Sequence, residues 1–248
     1  MVIGEGSVFA SLLILGLVRL ERNVRRERQR SAWERNLFLG VTHELKTPLA
    51  SVQLGLDSLR RLALGESDRK EVIGNMQRGI EDLGCLVDDM LVAARLQRQE
   101  NLKKVGFEWT EIGEDVLGRL DSIHRQRVHL ILEEGEFRLV EGDEALWRLS
   151  ASNLIENALK YSEGDVVLTL STKESVATLE VRDEGQGIPV GQRSEALEPF
   201  MRLRDEGQGT GLGLHLVSQT AELHGASLEM EDLEPSGFAV RLVWPQGR

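Results

Sequence analysis

Apolar residues step by four and by three along the first third of the chain: Phe38, Thr42, Leu45, Leu49, Val52, Leu56, Leu59 and Ala63. That spacing is a heptad seam and predicts one long helix from Arg19 to about Leu64, with Pro48 as its single strong breaker. "LGESD", residues 64 to 68, interrupts the pattern with a glycine and a Ser/Asp helix cap, Ser67 or Asp68. A second seam follows at Ile73, Met76, Ile80, Leu83, Val87, Met90 and Ala94 and ends near "RQEN". Gly74, Gly79 and Gly84 lower the helix propensity there. Two long helices joined by a short turn make an antiparallel hairpin. One hairpin buries one stripe per helix, whereas two would bury both, so the pattern predicts a four-helix bundle formed by a dimer.

After about Asn101 the period changes. "KKVGFEW", "VHLILEE" and "FRLVEG" read as strands, with a helix around Glu111 to His124 between the first two. Glu144 to Tyr161 reads as a helix capped by Asp143, and "DVVLTLST" with "VATLEVRD" as a hairpin of alternating residues. Gly211 to His224 reads as helix, and "SLEMEDL" and "GFAVRLVW" as closing strands. The expected fold is therefore α+β: a helical hairpin followed by a sandwich with helices over one face of a sheet.

Composition narrows the partners. The chain has 248 residues, a formal net charge of −11 and a pI near 5.1, which argues against nucleic acid as a partner. Aromatics are 4 %, so the core must be mostly aliphatic, and the lone Cys85 excludes a disulfide framework. Seven arginines and three glutamates crowd Arg19 to Arg35, directly after "VIGEGSVFASLLILGLVRL". The uncharged core of that run, Gly6 to Val18, has thirteen residues, short for a bilayer span. Val2 to Leu20 gives nineteen if Glu5 and Arg19 sit at the two interfaces. Residues 1–20 are thus expected to be a membrane segment or its remnant, and 21–36 a basic linker helix. The basic flank is expected to put the C-terminal side in the cytoplasm. About twenty residues ahead of the linker leave no room for an extracellular sensor domain. The expectation is a chain that starts inside its last membrane helix, or one that senses through the membrane or a partner.

Three stretches of the second domain carry candidate chemistry. In "NLIENALKYS", Asn153 and Asn157 lie at i, i+4 and Lys160 and Tyr161 continue the face, with Leu154 and Ala158 pointing elsewhere. Amides, an ammonium and a phenol on one stripe can hold a hydrated divalent ion such as Mg²⁺, a phosphate and an aromatic ring; a solvated polar face is the other reading. "DEGQGIP" puts the Asp183 carboxylate at a strand end before a D-x-G-x-G turn, where it can accept from an exocyclic amine such as that of adenine. An ordinary glycine turn would look the same. "GQGTGLGLHLV" opens glycines onto a helix start near Leu212, an anion site of backbone amides. It is neither a P-loop nor a Rossmann turn, since no G-K-[ST] is present and no first βαβ strand precedes it.

In their order, these stretches resemble the boxes of the sensor histidine kinases of two-component systems. "FLGVTHELKTPLA" matches the H box, the asparagine helix the N box, "DEGQGIP" the G1 box, "EPFMR" (Glu198 to Arg202) the F box and "GTGLGL" (Gly209 to Leu214) the G2 box. The likeness covers about residues 20 to 248. It implies a dimerisation and histidine phosphotransfer domain over 37–100, and a catalytic ATP-binding domain of the GHKL (Bergerat) type over 101–248. By the same resemblance His43 takes the γ-phosphoryl group of ATP and Glu44 fixes its tautomer. Pro48 bends the helix after the histidine, and Thr47, which completes "HELKT", orients a water for phosphatase activity. Asn157 would ligate Mg²⁺ with Asn153 nearby, and Lys160 and Arg202 would meet phosphate oxygens. Tyr161 would flank the nucleotide and Asp183 would read adenine. Gly185, Gly187, Gly209, Gly211 and Gly213 would line the pocket, with Thr210 and Leu212 in the same G2 stretch. The implied partners are a second copy of the chain, forming a homodimer, and the receiver domain of a separate response regulator, whose aspartate takes the phosphoryl group. Only eight residues separate Phe200 from Gly209, so the lid over the nucleotide is short. A gyrase-like or mismatch-repair ATPase is the competing enzyme, disfavoured by the H box, and a catalytically weak or inactive dimeric scaffold is the competing non-enzyme.

Overall fold

The computed structural model describes residues 16, 17, 19–21, 24, 40–42, 44–60, 64–97, 102, 105–133, 139–173, 175–203 and 210–245. His43, Gly209 and most of the expected membrane segment lie outside them. Among the described residues no helix is long and apolar enough to cross a membrane.

Helix α1 is described at 40–42 and 44–60, and α2 runs Glu66–Gln97. The expected Ser/Asp cap is corrected. α2 starts ahead of it, with the Arg69 N–H donating to the Gly65 carbonyl at 3.0 Å, and Glu66 and Asp68 lie in the first turn, where negative charge suits the helix dipole. The α2 glycines weigh less against the helix than propensity alone implies. Gly79 is buried, and a Cβ there would come within 3.2 Å of the Pro48 carbonyl oxygen and of Val52, so its bare Cα lets α1 and α2 close together. Leu49 and Leu56 on α1, and Ile73, Ile80 and Val87 on α2, stay exposed in the single chain although they repeat every seven residues.

The second region begins with β1 (Val105–Glu108), α3 (Trp109–Gly118), α4 (Ser122–Arg127), β2 (Val128–Leu132) and β3 (Leu139–Gly142). The single helix expected over 111 to 124 is two. Asp121 breaks it by accepting from the Ile123 and His124 N–H groups at 2.8 and 2.9 Å, a cap that starts α4 afresh. Trp109, expected in a strand, opens α3 and is buried. Then come α5 (Glu144–Tyr161), β4 (Val166–Lys173), β5 (Val176–Asp183), α6 (Gly213–His224), β6 (Ser227–Asp232) and β7 (Phe238–Pro245).

The main sheet has the order β2-β4-β5-β7-β6, parallel only between β2 and β4, and β1 pairs with β3 in a two-stranded sheet. Alternation selects the buried face: Val166, Leu168 and Leu170 on β4, Ala177, Leu179 and Val181 on β5, Leu242 and Trp244 on β7. Helices α3, α5 and α6 cover that face. On the outer face Glu180 is buried because Arg241, its cross-strand neighbour, donates to it through Nε at 2.6 Å.

Trp147 stacks on Trp244 at 4.9 Å and 15°, and Trp109 meets Trp147 edge-on at 5.6 Å. The His224 ring packs against both Trp147 and Trp244. Its Nδ1–H donates to the Thr220 carbonyl at 2.8 Å, and its Nε2 accepts the Asp143 N–H at 3.0 Å, so the end of α6 pins the start of α5. A second cluster joins Leu86, Ala93 and Leu96 of α2 to Leu212 and Leu216 at the start of α6, which seats the sheet region on the hairpin.

Candidate active site

Between the hairpin and the sheet lies a cavity of about 860 Å³. α5, capped by Asp143, sends the amide stripe into it: Asn153, Asn157, Lys160 and Tyr161 all line the cavity. Asn153 is 8 % exposed and its Nδ2 has no partner among the described residues, so a buried donor there is left for a ligand. The Lys160 ammonium sits 4.9 Å from the Tyr161 ring centroid. Leu154 and Ala158, expected to point away, are buried in the core and still form part of the cavity wall, because the stripe lies close to the buried face of α5.

Asp183 ends β5 on the cavity wall. Its Oδ1 accepts the Gly185 N–H at 2.6 Å, and burial pushes its carboxyl above the usual range while that hydrogen bond pulls it down. Gly187 lies in the left-handed region at φ +66°, and a Cβ there would stand 2.6 Å from the Phe238 ring. Both Gly187 and Phe238 face the cavity. Gly185 does not line it; it shapes the turn from behind Asp183.

The F and G2 stretches close the opposite side. Phe200 has φ +62°, its N–H donates to the Gly211 carbonyl at 3.0 Å, and its ring occupies the space that a Cβ on Gly40 would need. Arg202 reaches across to α1, with Nη1 3.6 Å from Glu44 Oε1. The Thr210 hydroxyl accepts the Leu212 N–H at 3.2 Å and donates to Asp89 Oδ2 of α2 at 3.3 Å. Burial pushes the Asp89 carboxyl up to about 6, Asp88 adds to the rise, and the Thr210 hydrogen bond opposes it. Glu156 of α5 is also raised, by burial and then by Asp89.

The cavity thus gathers most of the residues expected from sequence. Glu44 and Thr47 come from α1, the amide stripe from α5, Asp183 and Gly187 from the G1 turn, and Arg202, Thr210, Gly211 and Gly213 from the F and G2 stretches. Like Gly185, Leu212 does not line the cavity: fully buried, it packs against α2 in the interdomain cluster. The helix expected to start near Leu212 begins at Gly213 with Leu212 as its N-cap, and the Leu212 amide is held by Thr210. Asp89 and Arg193 were not singled out by sequence, because their partners lie far along the chain.

Residues 33–99 match the family model for the His Kinase A (phospho-acceptor) domain, and 142–248 that for histidine kinase-, DNA gyrase B- and HSP90-like ATPases. The sensor protein RstB of Escherichia coli K12 is 30 % identical over 226 residues, covering 86 % of this chain and 49 % of RstB. The chain spans about half the length of the curated relatives it matches. Histidine kinase ThkA, solved with response regulator protein TrrA, superposes with a TM-score of 0.68 at 17 % identity, covering 92 % of this chain and 66 % of that one. ShkA, solved with AMPPNP, superposes with a TM-score of 0.60 at 24 % identity, covering 86 % and 46 %. These structures share the fold. With a phospho-acceptor hairpin followed by an ATPase-type sheet domain, and with relatives of the same order, the chain belongs to the sensor histidine kinase family.

Proposed function

We propose that this chain is an ATP-dependent histidine autokinase that phosphorylates its own His43 and passes the phosphoryl group to an aspartate of a separate response regulator. The observation that carries the reading is the shared cavity: Glu44 and Thr47, one and four residues after His43 in sequence, and the amide stripe of α5 line the same space. Residues 37–100 would serve as dimerisation and phosphotransfer domain and 101–248 as ATP-binding domain. ShkA was solved with an ATP analogue and ThkA with a response regulator, which supports both ligands for this chain. The exposed heptad row on α1 and α2 supports a homodimer. The basic run after residue 18 supports attachment to the inner membrane, with the remainder in the cytoplasm.

The chemistry asks the protein for positioning and charge neutralisation more than for covalent work. The unpartnered Asn153 donor and the Lys160 ammonium suit phosphate oxygens. No group of three His, Cys, Asp or Glu side chains is placed to hold a metal ion among the described residues. The Asn157 side-chain oxygen fits Mg²⁺, which keeps waters and shares ligand phosphates. Bound there, Mg²⁺ would neutralise the charge that develops on the triphosphate. Asp183 would accept from the adenine amine. Glu44 would hold the His43 N–H so that the other ring nitrogen is free to attack, and Thr47 would hold the water used in dephosphorylating the regulator.

Incubation with γ-labelled ATP and Mg²⁺ tests the reading. A label that is acid-labile, base-stable and absent from His43→Gln is expected, with ATP binding intact in the variant. Label retained by His43→Gln would overturn it.

A further inference from the structure

Arg193 follows the short 3₁₀ turn Val190–Gln192, between the G1 turn and the F box, and its side chain is 20 % exposed. It does not line the cavity. Its guanidinium ties three segments together. Nε donates to the Ile188 carbonyl of the G1 turn at 3.0 Å, and Nη1 donates to the Met230 carbonyl of β6 at 2.6 Å. Nη2 pairs with the Asp232 carboxylate at 2.7 Å, and the guanidinium carbon lies 5.4 Å from the Phe238 ring centroid.

Of those partners, Ile188 and Phe238 line the cavity together with Asp183, and Met230 and Asp232 stand behind them on β6. Phe238 sits directly opposite Asp183 in the β5–β7 register, and opposite Asp232 in the β6–β7 register. Gly187 lies over the Phe238 ring, and Ile188 is its neighbour in the turn. The fork of one arginine thus holds the G1 turn against β6 and helps set how far the turn stands from the sheet. A planar guanidinium can serve two carbonyls and a carboxylate at once, which a lysine ammonium cannot do in the same geometry.

We propose that Arg193 is a positioning residue that fixes the base end of the cavity and so determines the preference for a base bearing an exocyclic amine opposite Asp183. This rests on the nucleotide-binding reading above. A carboxylate discriminates between bases only if the amine is held within hydrogen-bonding distance, and it rejects an analogue lacking the donor because its own acceptor is then left unpaired. Loosening the Ile188 and Phe238 wall removes that constraint while leaving the phosphate end, built on α5 and the G2 stretch, in place.

The experiment measures, by calorimetry on the full chain with Mg²⁺, the affinities for ATP and for inosine triphosphate, which carries an oxo group in place of the amine. Wild type is expected to prefer ATP. In Arg193→Ala and in Arg193→Lys the preference should fall by about tenfold, mostly through weaker ATP binding. An effect on stability alone would weaken both nucleotides together and leave their ratio unchanged, and that result would overturn the proposal. Should Arg193→Ala fail to fold, Arg193→Lys carries the test, since it keeps the charge and can still pair with Asp232. A wild type that binds both nucleotides equally would also overturn the proposal, whereas one that binds neither would instead sink the nucleotide reading on which the proposal rests.

Discussion

Gly187 and Phe238 contend for the same few ångströms, which makes the glycine testable. Gly187→Ala would add a left-handed strain of about 1 kcal/mol and press a methyl group onto a buried ring. ATP affinity is expected to drop about tenfold in titration calorimetry while the chain still melts cooperatively; unchanged affinity would show that the turn does not shape the site. Thr47 lies four residues beyond His43, exposed on α1 and at the cavity rim. Thr47→Ala is expected to label His43 normally and to slow decay of the phosphorylated regulator on the order of 10²-fold, the cost of one oriented contact. Decay of purified phospho-regulator with added ADP measures this, and equal decay with both proteins would make Thr47 an ordinary helix residue. At this scale the sequence was readable where function is local. The amide stripe and the D-x-G-x-G turn each sit within ten residues and fall on the cavity. Arg193 and Asp89 were not readable, since their partners stand 37 and 121 residues away and no spacing rule connects them.

Elements were legible in proportion to their periodicity. α5 was expected at its observed bounds because Asp143 announces its start, and the β4–β5 hairpin because its residues alternate. The 111–124 helix was not, because a capping aspartate inside an apolar stretch carries a weaker signal than the stretch itself. The α2 seam shows a subtler limit. Periodicity marks a stripe as apolar without saying what covers it: Met90 packs against the cluster at the start of α6, while Ile73, Ile80 and Val87 face outward. Placing a charge in that outward row should therefore uncouple association from folding. Ile80→Lys is expected to convert a dimer to a monomer in light scattering at micromolar concentration with helix content nearly unchanged. If wild type is already monomeric, the row has another use.

At the scale of the whole molecule, the two regions meet through Phe200 over Gly40, Arg202 with Glu44, and Thr210 with Asp89. Burial of Asp89 beside the last contact, which outweighs the Thr210 hydrogen bond, makes their closeness sensitive to acid. Asp89 titrates near 6 when docked, against an ordinary 3.8, so the docked form holds its proton more tightly. Docking should strengthen as pH falls from about 6 towards 4, and weaken as pH rises through 6. His215 works the other way. Burial lowers its pKa from the usual 6.5, so its contribution to folded stability is lost as pH drops below that value. Small-angle scattering should show the radius of gyration rising between pH 5 and pH 7 in wild type and staying flat in Asp89→Asn; parallel curves would remove Asp89 from the docking balance. The aromatic stack bears on how any of this would be observed. The chain has four tryptophans; none lies between residues 37 and 100, and Trp109, Trp147 and Trp244 are packed together in the sheet region. Indole emission is therefore a near-private signal of one half of the molecule, while ellipticity at the helix band draws on the helices of both. Two thermal traces that coincide would mean the halves melt as one cooperative unit, and two that part would date the separation of the halves to the temperature where they diverge.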